Sequence, residues 1–196
     1  WITHLDGVAD LGDAAVVHGD ADRRREVMKD SALGVGGTVA LALLVVGLVT
    51  AATVIADVAR LSVVDAVVIV VAAEVGAKAA TATLVCVGEA AHEGLGSALT
   101  GVSGPRATVG VALATAPVLL LGWPAVRPGS LVPIAVSPVS VAPVAVVLAA
   151  AAVAAALVFA WARSRLGGVS GDVLGATNEL ARVVGLHAGV IAWTLS

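Results

Sequence analysis

The chain has 196 residues, 59% of them hydrophobic and only 13% charged, with a mean hydropathy of +1.04, no tyrosine and a net charge of −3. These values lie outside the usual range of soluble globular domains and point to a membrane protein. The acidic balance and the absence of a basic cluster with interleaved aromatics argue against nucleic acid as a partner. The single cysteine, Cys86, excludes an internal disulfide and reads as a small buried hydrophobe.

Residues 1–32 are polar and hold most of the charge. The chain opens on Trp1 rather than methionine, so an N-terminal portion is expected to be missing. Asp6, Asp10 and Asp13 fall at i, i+4 and i+7, and a helix would set them on one face within an arc of about 60°. In a soluble protein the plain reading is a solvated acidic helix end. In a chain of this composition the favoured reading is a divalent cation such as Mg²⁺, which takes oxygen ligands and keeps positions open for substrate phosphates. The run Arg23-Arg24-Arg25-Glu26-Val27-Met28-Lys29-Asp30-Ser31 adds four cations beside that face. Cations next to Mg²⁺ suit a polyphosphate substrate; equally, they suit anchoring at a span boundary.

Apolar spans are expected at 33–56, 66–88, 107–123 and 141–161, each near the ~20 residues that cross a bilayer core. Pro117 is a kink site in the third, and the five prolines from Pro124 to Pro143 make 124–139 a poor helix. A fifth stretch, 183–195, is too short to span unless its helix begins near Gly175 or the chain is also cut at its end. The expected fold is therefore an all-α, polytopic membrane helix bundle of about five spans, a single domain over 1–196.

Counting crossings puts 1–32, 89–106 and 162–180 on one side. That side holds eight of the eleven Lys and Arg residues, with Arg182 counted at a helix start, and eleven of the fourteen acids. The positive-inside rule assigns it to the cytoplasm. Orientation needs bases but no acids, so the mixture of both suggests a site.

Two further segments there carry chemistry. In Arg165-Leu166-Gly167-Gly168-Val169-Ser170-Gly171-Asp172, continuing to Glu179, a helix would line Gly168, Gly171 and Gly175 into a bare strip. The strip is either a packing seam or room for a phosphate, and Asp172 and Glu179 form a second acidic face. In Glu89-Ala90-Ala91-His92-Glu93-Gly94-Leu95-Gly96, His92 and Glu93 are candidates for acid/base work or substrate contact, although His4 and His18 are equally available. Glu74 and Lys78, four apart inside the second span, read as a structural ion pair ahead of a catalytic role.

The succession HLDGVADLGDA, RRREVMKDSALGVGG, EGLG and RLGGVSGDVLGATNE resembles the cobalamin synthase family, the adenosylcobinamide-GDP ribazoletransferases, in order and spacing from His4 to Glu179. Members usually carry hydrophobic sequence before the first motif. Ala32 stands where the family often has arginine, a charge that Arg25 would replace, and Ser170 where threonine is common. The resemblance implies a multi-pass cell-membrane enzyme of late cobalamin biosynthesis with its motif loops in the cytoplasm. The enzyme would join adenosylcobinamide-GDP to α-ribazole or its 5′-phosphate and release GMP. It implies Mg²⁺ on Asp6, Asp10 and Asp13, with Asp10, Asp172 and Glu179 as catalytic carboxylates. Arg24, Lys29 and Arg165 would neutralise phosphoryl oxygens, and Ser31, His92, Glu93, Gly168 and Gly171 would contact substrate. The lipid bilayer, other enzymes of the late pathway and further copies of the chain are the expected partners. The alternatives are a CDP-alcohol phosphotransferase-like transferase, whose two-Asp, Ala-Arg, two-Asp pattern is absent, a UbiA-like transferase, whose second DDxxD-type run is absent, and a non-catalytic membrane carrier or assembly subunit.

Overall fold

The computed structural model describes residues 2–122 and 142–196. Eight α-helices are described: α1 (Ile2–Val16), α2 (Ala21–Met28), α3 (Val35–Leu61), α4 (Val63–Val87), α5 (Leu95–Thr100), α6 (Thr108–Thr115), α7 (Ala142–Arg165) and α8 (Gly171–Thr194). Two 3₁₀ turns, Pro105–Ala107 and Ala116–Gly122, flank α6. No β-strand occurs among the described residues; the single bridge pairs Ala90 with Val169.

Helix boundaries follow local chemistry. Asp20 caps α2 by accepting from Arg23 N at 3.0 Å. Ser170 caps α8 by accepting from Val173 N at 3.3 Å. Ser62 alone separates α3 from α4, ending the first in extended backbone and capping the second through Asp65 N at 3.2 Å. The third expected span is interrupted: α6 stops at Thr115 and a 3₁₀ turn carries Pro117. A proline cannot donate back to the carbonyl four residues earlier. The proline-rich stretch 124–139 lies outside the described residues.

α3 and α7 have both the length and the apolar character to cross a bilayer. At 1.5 Å per residue α3 spans about 40 Å, against a hydrocarbon core of about 30 Å. Its outer face presents Leu43, Val46 and Val49, each more than half exposed, a surface suited to lipid. α4 and α8 are nearly as long, at 25 and 24 residues, but each carries charge in its middle. α8 begins at Gly171, early enough for the last apolar stretch to reach spanning length.

α8 is the hub, packing on α7, α4, α1 and α3. Small residues let these backbones approach. Gly185 fits between Ala73 of α4 and Val147 of α7. Alanines at 72, 73, 77, 80, 151, 154 and 155 line the same contacts. α1 is packed just as closely on two sides. A Cβ on Gly7 would lie 2.5 Å from the Asp172 carbonyl oxygen, and one on Gly12 would lie 2.7 Å from that of Gly36. Glycine at both positions holds α1 between α3 and the start of α8.

Candidate active site

Three polar segments meet at one end of the bundle, as the crossing count expects. Gly7 of α1 abuts Asp172 in the first turn of α8. Arg25 of α2 donates to the Leu166 carbonyl. The loop after α4 pairs with the loop before α8 through Val169 N to Glu89 O at 2.8 Å and Ala91 N to Val169 O at 3.0 Å. Gly168 is essential there: a Cβ would sit 2.5 Å from the Glu89 oxygen, and its φ of 158° disfavours other residues.

The helix expected around the first motif is present, but its three carboxylates part company. Asp13 is buried and accepts from Gly34 N and Gly37 N, both at 2.8 Å. These amides open α3, whose own cap position, Gly34, has no side chain to offer. An anion at a helix N-terminus satisfies orphan donors and the dipole together. Asp13 therefore leaves the expected ligand set. Asp6 stays exposed and Asp10 half-buried. The Asp10 carboxyl is raised to about 7, first by burial and then by the negative charges of Asp172, Asp6 and Asp13.

The expected phosphate contacts are redistributed too. Arg24 is buried and donates to the Ala14 carbonyl at the end of α1, so it caps a helix rather than facing a substrate. Arg25 and Lys29 instead line a small cavity with His92, Ser170 and Asp172. Ser31, Glu93 and Arg165 are exposed. Gly168 precedes α8 rather than lying on it, so the expected strip reduces to Gly171 and Gly175, and the latter backs onto His4.

Glu179 is the largest departure. Its side chain is 2% exposed, and both oxygens are engaged. Oε1 lies 3.0 Å from His4 Nδ1 and accepts from Asn178 Nδ2 at 3.0 Å, while Oε2 accepts from Arg182 Nη1 at 2.8 Å. Arg182 reaches on to Glu74, with Nε 2.5 Å from Oε1 and Nη2 donating to Oε2 at 3.1 Å. Lys78 donates to Asn178 Oδ1 at 2.7 Å. Glu74 and Lys78 therefore do not pair with each other; each is taken by α8. Arg182 sits near the middle of that helix rather than at its start.

Residues 1–190 match the family model described as Cobalamin-5-phosphate synthase. The chain belongs to this family. It is 63% identical to the adenosylcobinamide-GDP ribazoletransferase of Halorubrum lacusprofundi, over 98% of the chain and 71% of that protein. Identity is 47% to the enzyme of the same name from Halobacterium salinarum, over 99% of the chain and 88% of the relative. Against that of Methanocella arvoryzae it is 32%, over 98% and 70%. No solved structure matches.

The family resemblance implied Mg²⁺, and the donors can be tested against it. Among the described residues no three His, Cys, Asp or Glu side chains form a group that holds an ion by itself. Mg²⁺ rarely asks for such a cage; it takes one or two carboxylates and completes its shell with water and substrate phosphates. Asp6 and Asp10, one helical turn apart, match that demand. Burial raises the Asp10 carboxyl first and crowded negative charge adds to it, and a cation would relieve the crowding. Sequence reasoning missed Asn178 and Arg182. The signal for them was two strongly polar side chains one helical turn apart, on either side of Glu179, in a helix whose second half is largely apolar.

Proposed function

We propose that this protein is an adenosylcobinamide-GDP ribazoletransferase, joining adenosylcobinamide-GDP to α-ribazole or its 5′-phosphate with release of GMP. The observation that carries the reading, beyond family membership, is the meeting of Asp6, Asp10 and Asp172 where α1 crosses the start of α8. An acceptor hydroxyl oxygen bonds to the phosphorus bearing the cobinamide arm, and the bond from that phosphorus to the bridging oxygen breaks. The electron pair leaves on GMP. Asp6 and Asp10 would hold Mg²⁺, which supplies charge neutralisation on the diphosphate. Asp172 faces them from α8 and takes the hydroxyl proton. Glu179, saturated by His4, Asn178 and Arg182, supports the scaffold instead.

The reading includes a cell-membrane location with about five crossings, supplied by α3, α4, the α6 region, α7 and α8, and the motif loops in the cytoplasm. Convergence of the three charge-rich segments at one end of the bundle supports it. A carrier would keep polar groups open at mid-membrane; here Glu179, Arg182 and Asn178 are buried against one another. The test is GMP release from adenosylcobinamide-GDP by membranes containing the protein. Release should require both α-ribazole and Mg²⁺. Release that ignores either one would overturn the corresponding part.

A further inference from the structure

The cavity between α2, the loop after α4 and the start of α8 is separate from the Asp6–Asp10 pair and has its own construction. Its volume is about 70 Å³. A water molecule in the liquid takes about 30 Å³, so one phosphate group fits and a nucleoside diphosphate does not. Lys29 and Arg25, the latter also ion-paired with Asp22, bring positive charge from α2, His92 comes from the loop, and Ser170 and Asp172 close the far side. The walls are fixed by the Arg25–Leu166 hydrogen bond and the paired loops around Gly168. His92 Nδ1 donates to the Glu93 carbonyl at 2.9 Å, leaving Nε2 for a ligand. Among the described residues neither Lys29 nor His92 enters an ion pair.

We propose that this cavity is a monophosphate subsite that holds the 5′-phosphate of the acceptor and so selects phosphorylated over unphosphorylated α-ribazole; the assignment rests on the transferase reading above. A phosphomonoester carries about −1.5 to −2 charges near pH 7 and three acceptor oxygens, which suits an arginine, a lysine and an imidazole without a metal. In-line displacement sets the attacking and leaving oxygens on opposite sides of the phosphorus. Donor and acceptor therefore need separate anchors that flank one centre. Asp172 is the wall shared by the cavity and the carboxylate cluster, and the acceptor hydroxyl is deprotonated there.

The experiment measures kcat/KM for α-ribazole 5′-phosphate and for α-ribazole, with saturating adenosylcobinamide-GDP, in membranes containing the wild type, Lys29→Gln, Lys29→Arg or His92→Gln. Lys29 is exposed, so its replacement leaves folding intact. The preference for the phosphorylated acceptor should fall about tenfold in Lys29→Gln, the effect of losing one charge-assisted hydrogen bond. It should fall less in His92→Gln and largely return in Lys29→Arg. Equal losses with both acceptors would overturn the subsite. So would an unchanged preference with weakened inhibition by GMP, which would assign the cavity to the donor. A wild type that makes product from neither acceptor would instead overturn the transferase reading on which the subsite rests.

Discussion

Two polar regions of this protein lie along α8, and they treat charge in opposite ways. In mid-bundle, Glu74, Arg182, Glu179, Asn178, Lys78 and His4 are joined by hydrogen bonds and ion pairs into one connected set. About two turns toward the helix start, Asp172 joins Asp6 and Asp10, and no cation of the chain is ion-paired with any of the three among the described residues. A charge buried with its partners holds helices together, whereas charges of one sign gathered without partners are held for something that arrives. The difference separates scaffold from site more sharply than residue type does, since both regions are built from carboxylates.

The comparison can be broken most directly at Asp10. Asp10→Asn should lower turnover by about 10²–10³-fold, the usual cost of a lost contact to transition-state charge. Its melting temperature without divalent cations should hold or rise, because a repulsion has been removed. Retained activity would sink the assignment. Arg182→Met should do the reverse, costing about 3–5 kcal/mol of stability because the buried Glu179 carboxylate loses its cation. Thermal unfolding in membranes or detergent measures it, and a melt like that of the wild type would mean the mid-bundle set is not scaffold. Gly7→Ala sharpens the boundary between the two. Its methyl group would press on the Asp172 backbone, and a displacement near 1 Å costs about 10²-fold in rate. The steady-state rate constant is the readout. The smallest effect is Mg²⁺ itself. Saturating Mg²⁺ should raise the wild-type melting temperature by a few degrees, roughly what binding worth about 1–2 kcal/mol provides, and should not move Asp10→Asn.

Much of the fold could be read along the chain because its cues are local. The i, i+4 spacing of Asp6 and Asp10 does lie on a helix, and Pro117, expected as a kink, falls where α6 gives way to a 3₁₀ turn. The grouping of three polar segments at one end followed from counting crossings. What stayed hidden depended on partners far away in the chain. Asp13 is drawn off by amides of α3, which no spacing within α1 could reveal. Glu74 and Lys78 have a favourable local spacing worth only about 0.2–0.5 kcal/mol, and the buried Arg182 and Asn178 of α8 outweigh it. Arg24 and Arg25 are adjacent and chemically identical, yet one caps α1 and the other faces the cavity. Only the direction in which α2 packs distinguishes them.

The single-residue link at Ser62 bears on how the chain enters the bilayer during synthesis. With no loop between α3 and α4, the second helix cannot be threaded across on its own. α4 carries Glu74 and Lys78 in its middle, and charges at a helix centre cost about 2.5–3.5 kcal/mol each on insertion scales. α3 is uninterrupted by charge over most of its 27 residues. In the five-crossing topology proposed above, the two would partition as one hairpin whose apolar first arm carries in the charged second, with α8 supplying partners for Glu74 and Lys78.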